Sequence, residues 1–372
     1  TTSPLWKIVD GPWKLQTFSQ DGRVTFVPNP KYSGPVKPHV SQFVELPFTS
    51  DTAELNALRA GEVDVGYLPY EDLPQKGALQ AQGYNLVPWQ IYVTNYIADN
   101  QHNPVVGPIL QQTYVRQAME MLIDQKGVIK SFYGGYAQQT CGPVPFSSSG
   151  DLSDAYEKTC PFSFNPTKAV ALLKSHGWNI VPNGVSTCAS PGTGAGHCGA
   201  GVKAGAKLQF TFNYATGVEA LTRSVEVFKS DAARAGIQYN LVGGSFATVS
   251  GIAVPCKPSA STCNWQLADW GEGWLYTPNY YPAGEVVFES GGGGNTSSFS
   301  DPINDANVKA NVTSGGGQQS LNKFQDYLTN QVPFIWQQDA PYQLTEIKST
   351  LQGTTPQNVY FALLPENWYF TK

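Results

Sequence analysis

The sequence predicts an α/β protein of two or three lobes, on three observations. From Leu208 to Val242 the order is strand, helix, strand: Leu208–Tyr214, Glu219–Gly236 and Gln238–Val242, a βαβ unit. Residues 1–90 alternate apolar and polar side chains in short runs divided by turn residues, which reads as β-rich. The chain has 372 residues. Domains usually hold roughly 100–200, so more than one core is expected.

From the N-terminus, Gly11–Phe18 alternates, turns at Gln20-Asp21-Gly22, and alternates again over Arg23–Val27, the pattern of a hairpin. Val40–Pro47 reads as a further strand. Thr52–Ala60 is a short helix with apolar Ala53, Leu55, Ala57 and Leu58, stopped by Gly61 and followed by a strand over Glu62–Tyr67. Residues 91–100 are extended and aromatic. Residues 108–133 carry Val115, Ala118, Met119, Leu122, Ile123 and Val128 at helical spacing and read as one long helix. Within it, Arg116 is expected in a structural ion pair and Asp124 as a cap or bridge. A second helix starts at Asn165-Pro166 and runs to Gly177-Trp178. In the βαβ unit, Leu221, Val225, Phe228 and Ala232 form the helix's apolar face. Gln266–Trp270 is a candidate strand, 290–318 a Gly/Ser/Asn-rich loop with a helical break, Leu321–Gln331 a helix and Pro333–Trp336 a strand. The tail is irregular and aromatic. No internal repeat occurs.

Six cysteines, Cys141, Cys160, Cys188, Cys198, Cys256 and Cys263, bracket three short polar stretches. Loops of this kind with an even cysteine count predict disulfide staples in an oxidising compartment. Fifteen pairings are possible, and the three local ones are favoured. Each closes a loop of roughly 8–20 residues and adds about 2–3 kcal/mol in the chain-entropy account. A metal site using Cys188, His197 and Cys198 lacks the CxxC spacing that such sites use. His39, His102, His176 and His197 are scattered, and none looks catalytic.

Composition excludes several classes. Charged residues are 14% of the chain, against about 25% on average. Lys plus Arg is 23 and Asp plus Glu is 28, giving a net charge of −5, which argues against a nucleic-acid partner. No run of 18 or more apolar residues suits a membrane span. Thr1 opens neither a signal peptide nor a natural N-terminus, so a mature secreted form or a cut piece is expected. No GxSxG, HExxH, GxxxxGK[ST] or GxGxxG stands at a strand–helix junction, so an enzyme is not expected. The aromatic content leaves one alternative, a secreted carbohydrate-binding or hydrolytic module.

Several segments together resemble one family. Gly11–Leu15 followed by Val27–Tyr32 is similar to "GTGPY…NPxYW". Ala57–Asp64 is similar to "L.aGEiD", and Val115–Ala118 with Ile123-Asp124 to "vRqAl.yaiDr". Asn165–Ala169 through Leu172-Leu173 to Gly177-Trp178 is similar to "d.ekAk.LL.eaGw". These occur in the order found in the family 5 extracellular solute-binding proteins, the peptide-binding receptors of bacterial ABC importers. The resemblance implies an incomplete periplasmic-binding-protein-like type II clamshell. Residues 1–92 plus 336–372 would be a partial lobe I and 93–335 a full second α/β lobe. The family's opening segment and its small inserted domain have no counterpart here, so a truncated or proteolysed receptor is expected.

The resemblance also implies the site. Family members grip an extended ligand between lobes with a "GW..DY.DP" segment, whose Asp meets the peptide's α-amine. The matching stretch here runs from Ala268 to Pro278. Trp270 fits the family Trp, Trp274 fits the Tyr, and Gly273 stands where the Asp would be. Asp269 or Glu272 is left to supply the carboxylate, and strand alternation sends one of them outward. Gly271 and Tyr276 lie in the same stretch. Asn213 and Tyr214 end the strand that faces the ligand, Phe246 lines a side-chain pocket, and Asn279 and Tyr280 form a rim. Tyr92, Asn95 and Trp336 are the implied hinge. No cofactor or metal is implied. The implied partners are a peptide or peptide-like solute and a membrane ABC permease, for a monomer on the outer face of the cytoplasmic membrane, with a lipid anchor in the full-length form left open.

Overall fold

Two units divide the chain in the computed structural model, which describes residue 5 and residues 8–156, 160–277, 284–313 and 317–371. One unit comprises Thr1–Ile91 and Pro341–Lys372, the other Tyr92–Ala340.

In the smaller unit, the expected hairpin forms from Trp13–Phe18 and Val24–Pro28, antiparallel, with Trp13 opposite Pro28. Phe43–Glu45 adds a third strand. The helix Asp51–Ala60 begins where the Ser50 hydroxyl accepts the Ala53 N–H at 3.2 Å, and it ends at Gly61 in a left-handed turn. Its buried Leu55 and Leu58 face the strand Val65–Tyr67. A Cβ at Gly66 would come within 2.9 Å of Leu58, so glycine is what lets helix and strand approach. A second sheet places Gln343–Lys348 between Val65–Tyr67 and Tyr84–Trp89, all antiparallel. The sequence predicts only an irregular tail over 343–348. Gln343, Thr345, Glu346 and Lys348 hide the strand, because Thr345 and Glu346 are buried despite their polarity. Tyr84–Trp89 carries Pro88, which lies opposite Leu344.

The larger unit is built around Val93–Asp99, every residue of which is buried. Ile335–Trp336 pairs with it antiparallel. Leu267–Asp269 pairs with it on one side of the register and lies parallel to Gln209–Ala215, which in turn lies parallel to Gln238–Gly244. The helix Glu219–Arg234 connects the last two strands, so the βαβ unit is present. Its Leu221, Val225, Phe228 and Ala232 are buried.

The single helix expected over 108–133 is three: Gly107–Leu110, Thr113–Glu120 and Gln125–Phe132. The break after Met121 has a long-range cause and a local one. The Met121 carbonyl accepts the Asn165 N–H at 2.8 Å, and Asp124 caps the third helix by accepting the Gly127 N–H at 3.0 Å. Arg116 is fully buried and donates to the carbonyls of Leu110, Gln331 and Val332 rather than into an ion pair. The expected loop over 290–318 contains a helix, Pro302–Thr313. Asp301 starts it by accepting the N–H groups of Ile303 and Asn304, and Pro302 fits the first turn. The three local disulfides are all present, Cys141–Cys160, Cys188–Cys198 and Cys256–Cys263.

Candidate functional site

Three parallel strands of the larger unit end side by side, at Ala215, Gly244 and Asp269. The crevice beyond the carboxyl ends of such strands is where α/β sheets hold ligands. Residues expected in the site fall here. Tyr214 stands in register between Gly243 and Asp269. Its hydroxyl lies 3.3 Å from where a Cβ at Gly243 would be, so that glycine makes room for the phenol. Phe246 opens the helix Phe246–Ile252, capped by the Ser245 hydroxyl on the Thr248 N–H, and is 47% exposed. Asn213 is half-buried and donates its amide to the Leu267 carbonyl at 3.3 Å, which ties two of the strands together.

The stretch after Asp269 is a bulge. Leu267 and Ala268 pair with Asp99 and Ala98, and Gly273, Trp274 and Leu275 pair with Asn95, Thr94 and Val93. Residues 269–272 therefore stand opposite only Tyr96 and Ile97, and beyond Asp269, which still pairs with Tyr214, the chain swings out of the ladder. Gly271 turns the bulge at φ +81, and its N–H is accepted by Asp269 Oδ1 at 2.9 Å. Asp269 is thus buried and committed to its own bulge. Burial raises its pKa to about 6, against lowering by the Gly271 N–H and the Gln337 amide. Glu272 is exposed, as is Gly271. Trp270 is half-buried, edge-on to Tyr96 at 5.7 Å. Trp274 is half-buried among Tyr276 and Phe288, and Tyr276 is wholly buried. A Cβ at Gly273 would lie 1.8 Å from the Thr94 carbonyl oxygen, so no carboxylate can be built at that position. Asn279 and Tyr280 lie outside the described residues.

Sequence reasoning missed two members of this face. Val218 and Val242 are 51% and 48% exposed, Val218 ahead of the βαβ helix and Val242 near the end of its second strand. Alternation alone does not show which side of a strand's last residues remains open.

The implied hinge residues sit differently from the expectation. The chain passes between units at Ile91/Tyr92 and Ala340/Pro341. Tyr92 is at a crossing, but Asn95 and the wholly buried Trp336 belong to the central sheet of the larger unit. Pairing of Trp336 with Tyr96 and acceptance of its N–H by Glu120 at 2.7 Å extend the strand four residues short of the second crossing.

Cys188 and Cys198 are joined to each other, which removes both from the weighed metal set. Among the described residues no group of three His, Cys, Asp or Glu is placed to hold a metal ion, and no helix is long and apolar enough to cross a membrane.

The family described as bacterial extracellular solute-binding proteins, family 5 Middle, matches residues 6–285. A putative ABC transporter peptide-binding protein of Brucella ovis is 29% identical over 172 residues, 46% of this chain and 30% of that protein. The glutathione-binding protein GsiB of Salmonella paratyphi A is 30% identical over 183 residues, 48% of this chain and 32% of GsiB. The matched stretch spans about a third of the length of these relatives. Among solved structures, the oligopeptide-binding protein AppA of Bacillus subtilis, in complex with a nonapeptide, superposes with a TM-score of 0.70 at 18% identity, covering 97% of this chain and 66% of AppA. NikA of Brucella suis, in complex with Fe(III)-EDTA, gives 0.73 at 16% identity, covering 97% of this chain and 68% of NikA. At these identities the likeness is one of fold, and about a third of each solved chain has no counterpart here.

Proposed function

The chain belongs to the family 5 bacterial extracellular solute-binding proteins, and from that premise we propose that it is the solute-capturing component of an ABC importer for a peptide or peptide-like ligand. It acts by binding and release, without turnover. Its partners are that ligand and a membrane permease, and its place is outside the cytoplasmic membrane. The observation that carries the reading is the face where three parallel strands end. There Phe246, Val218 and Val242 are exposed, Tyr214 and Trp270 are half-buried, and residues 270–272 of the bulge present backbone outside the sheet ladder. Exposed apolar and aromatic side chains beside an unladdered backbone suit an extended chain held by main-chain hydrogen bonds with loose side-chain pockets. The relatives named as peptide-binding support this ligand class.

Of the proposed contacts, Trp270, Phe246 and Tyr214 supply apolar area, and Gly271 permits close approach. Trp274, Asn213, Asp269 and Tyr276 hold the face in shape. Glu272 is the carboxylate left to meet a ligand ammonium. Because it is exposed, that pairing adds no more than about 1 kcal/mol. A free peptide N-terminus is therefore a weak anchor here, and N-blocked peptides are expected to bind about as well as free ones.

Native mass spectrometry of protein purified from its host tests the reading, and a retained peptide-like molecule is the expected result. Trp270→Ala and Phe246→Ala should each weaken its binding roughly tenfold, the scale of a truncated aromatic anchor. Release of a hydrolysis product, or retention unaffected by both variants, would overturn it.

A further inference from the structure

The smaller unit carries a cavity of about 380 Å³ that the reading above does not use. Val65, Trp89 and Ile347 line it from the sheet, and Gln357, Leu364 and Trp368 line it from the C-terminal segment. None of its described lining residues is ionisable.

The walls are held by the protein's own bonds. Trp89 is buried, and its Nε1 donates to the Asn358 carbonyl at 2.6 Å. The Gln357 amide donates through Nε2 to the Thr345 hydroxyl at 3.0 Å. Its Oε1 is buried and accepts from no described residue. Trp368 packs edge-on against Phe43 at 5.6 Å. At the rim, Leu363 and Leu364 remain 42% and 39% exposed.

We infer that this cavity binds a neutral aromatic small molecule. Its size falls within the roughly 300–1,000 Å³ of small-ligand sites. Two indoles and the branched side chains of Val65, Ile347 and Leu364 offer flat apolar contact to a ring. A charged ligand would leave water without a counter-charge, at a cost of several kcal/mol. A neutral aromatic occupant would also cover Leu363 and Leu364. The inference concerns the smaller unit alone and stands or falls apart from the proposed peptide face.

Calorimetric titration of the 372-residue protein with indole, N-methylindole and indole-3-acetate tests it. The expected order is saturable binding of indole, with indole-3-acetate at least about tenfold weaker because its carboxylate finds no partner. N-methylindole, equally neutral and aromatic, should bind about as well as indole. Leu364→Trp should fill the space and abolish both. A crystal soaked in 5-bromoindole should place bromine against Trp89 and Trp368. Failure of indole to saturate at millimolar concentration, equal binding of the acetate, no binding of N-methylindole, bromine elsewhere, or a cavity occupied by polypeptide would each overturn it.

Discussion

The Asp339 carboxylate accepts the backbone N–H of Asn95 at 2.7 Å, with the Thr140 hydroxyl against its other oxygen. It thereby links the two stretches by which the chain enters and leaves the larger unit, since Asn95 follows the first crossing and Asp339 precedes the second. Thr140 is in turn fixed by Gln125, which accepts the Thr140 N–H and donates to the Thr140 carbonyl. All three side chains are buried.

Burial raises the Asp339 pKa well above the usual carboxylate range, against lowering by Thr140 and by the Asn95 N–H. A neutral group that keeps one acceptor and one donor should then serve nearly as well. Asp339→Asn is expected to cost under about 1 kcal/mol, whereas Asp339→Ala should cost about 2–4 kcal/mol by leaving the Asn95 N–H and the Thr140 hydroxyl unpaired. Urea unfolding of both variants checks this, and equal losses would show that the carboxylate is needed as a charge.

Asp99 offers a pH test. It is wholly buried, its Oδ1 accepts the Ser297 hydroxyl, and its Oδ2 accepts the Gln101 amide. Burial raises its pKa to about 8, with the Arg116 charge, Ser297 and Gln101 all pulling the other way. The folded state therefore keeps a proton that the unfolded state releases near 4. Its contribution is complete below the unfolded value and is lost as pH rises toward about 8. Up to about 1.4 kcal/mol per pH unit is lost over that window. Asp99→Asn should flatten the stability curve between pH 4 and 8 by that slope. Urea midpoints measured across the range decide it, and a variant curve steeper than wild type would contradict the assignment.

The fold was legible where chemistry is local. Asn165 and Gly61 mark helix ends by their own side chain or lack of one, and the structure uses both. The βαβ unit showed itself because the helix alternates at 3.6 and its strands at 2. What stayed hidden depended on distant partners. Glu346 sits in a buried strand, and Met121 breaks a helix to meet Asn165. The same holds at the candidate site. Trp270 and Phe246 are singled out by the family resemblance, but nothing in the sequence tells that Asp269 turns back onto Gly271 while Glu272 stays exposed. That depends on two extra residues opposite Tyr96 and Ile97, a register that only the paired strand reveals.

The disulfides give a third prediction. Cys141–Cys160, Cys188–Cys198 and Cys256–Cys263 span 19, 10 and 7 residues of sequence. In the chain-entropy account each adds about 2–3 kcal/mol, and the longest loop adds most. Cys-to-Ala pairs should lower thermal stability in that order, with Cys141/Cys160 the most costly. Calorimetric melting of the three double variants tests the ranking. A larger loss at Cys256/Cys263 would mean that native packing around its loop outweighs loop closure.

The last prediction concerns Gly273, the position where a carboxylate might have been sought. Its backbone pairs with Asn95, and a side chain there would drive into the Thr94 carbonyl at 1.8 Å. Thr94 cannot retreat, because Val93–Asp99 is the buried centre of the sheet. Gly273→Ala should therefore cost at least about 2 kcal/mol, as a clash against backbone rather than a flexible side chain. Gly271→Ala is strained for a different reason, its positive φ, and a Cβ there meets only the Leu221 side chain at 2.9 Å, which can yield. Its cost should be smaller, about 1 kcal/mol. Unfolding free energies of the two variants separate the cases. If Gly273→Asp folded with wild-type stability, the strand from Gly273 to Leu275 would have to lie further from Thr94 than it does, and the bulge that shapes the candidate face would be lost with it.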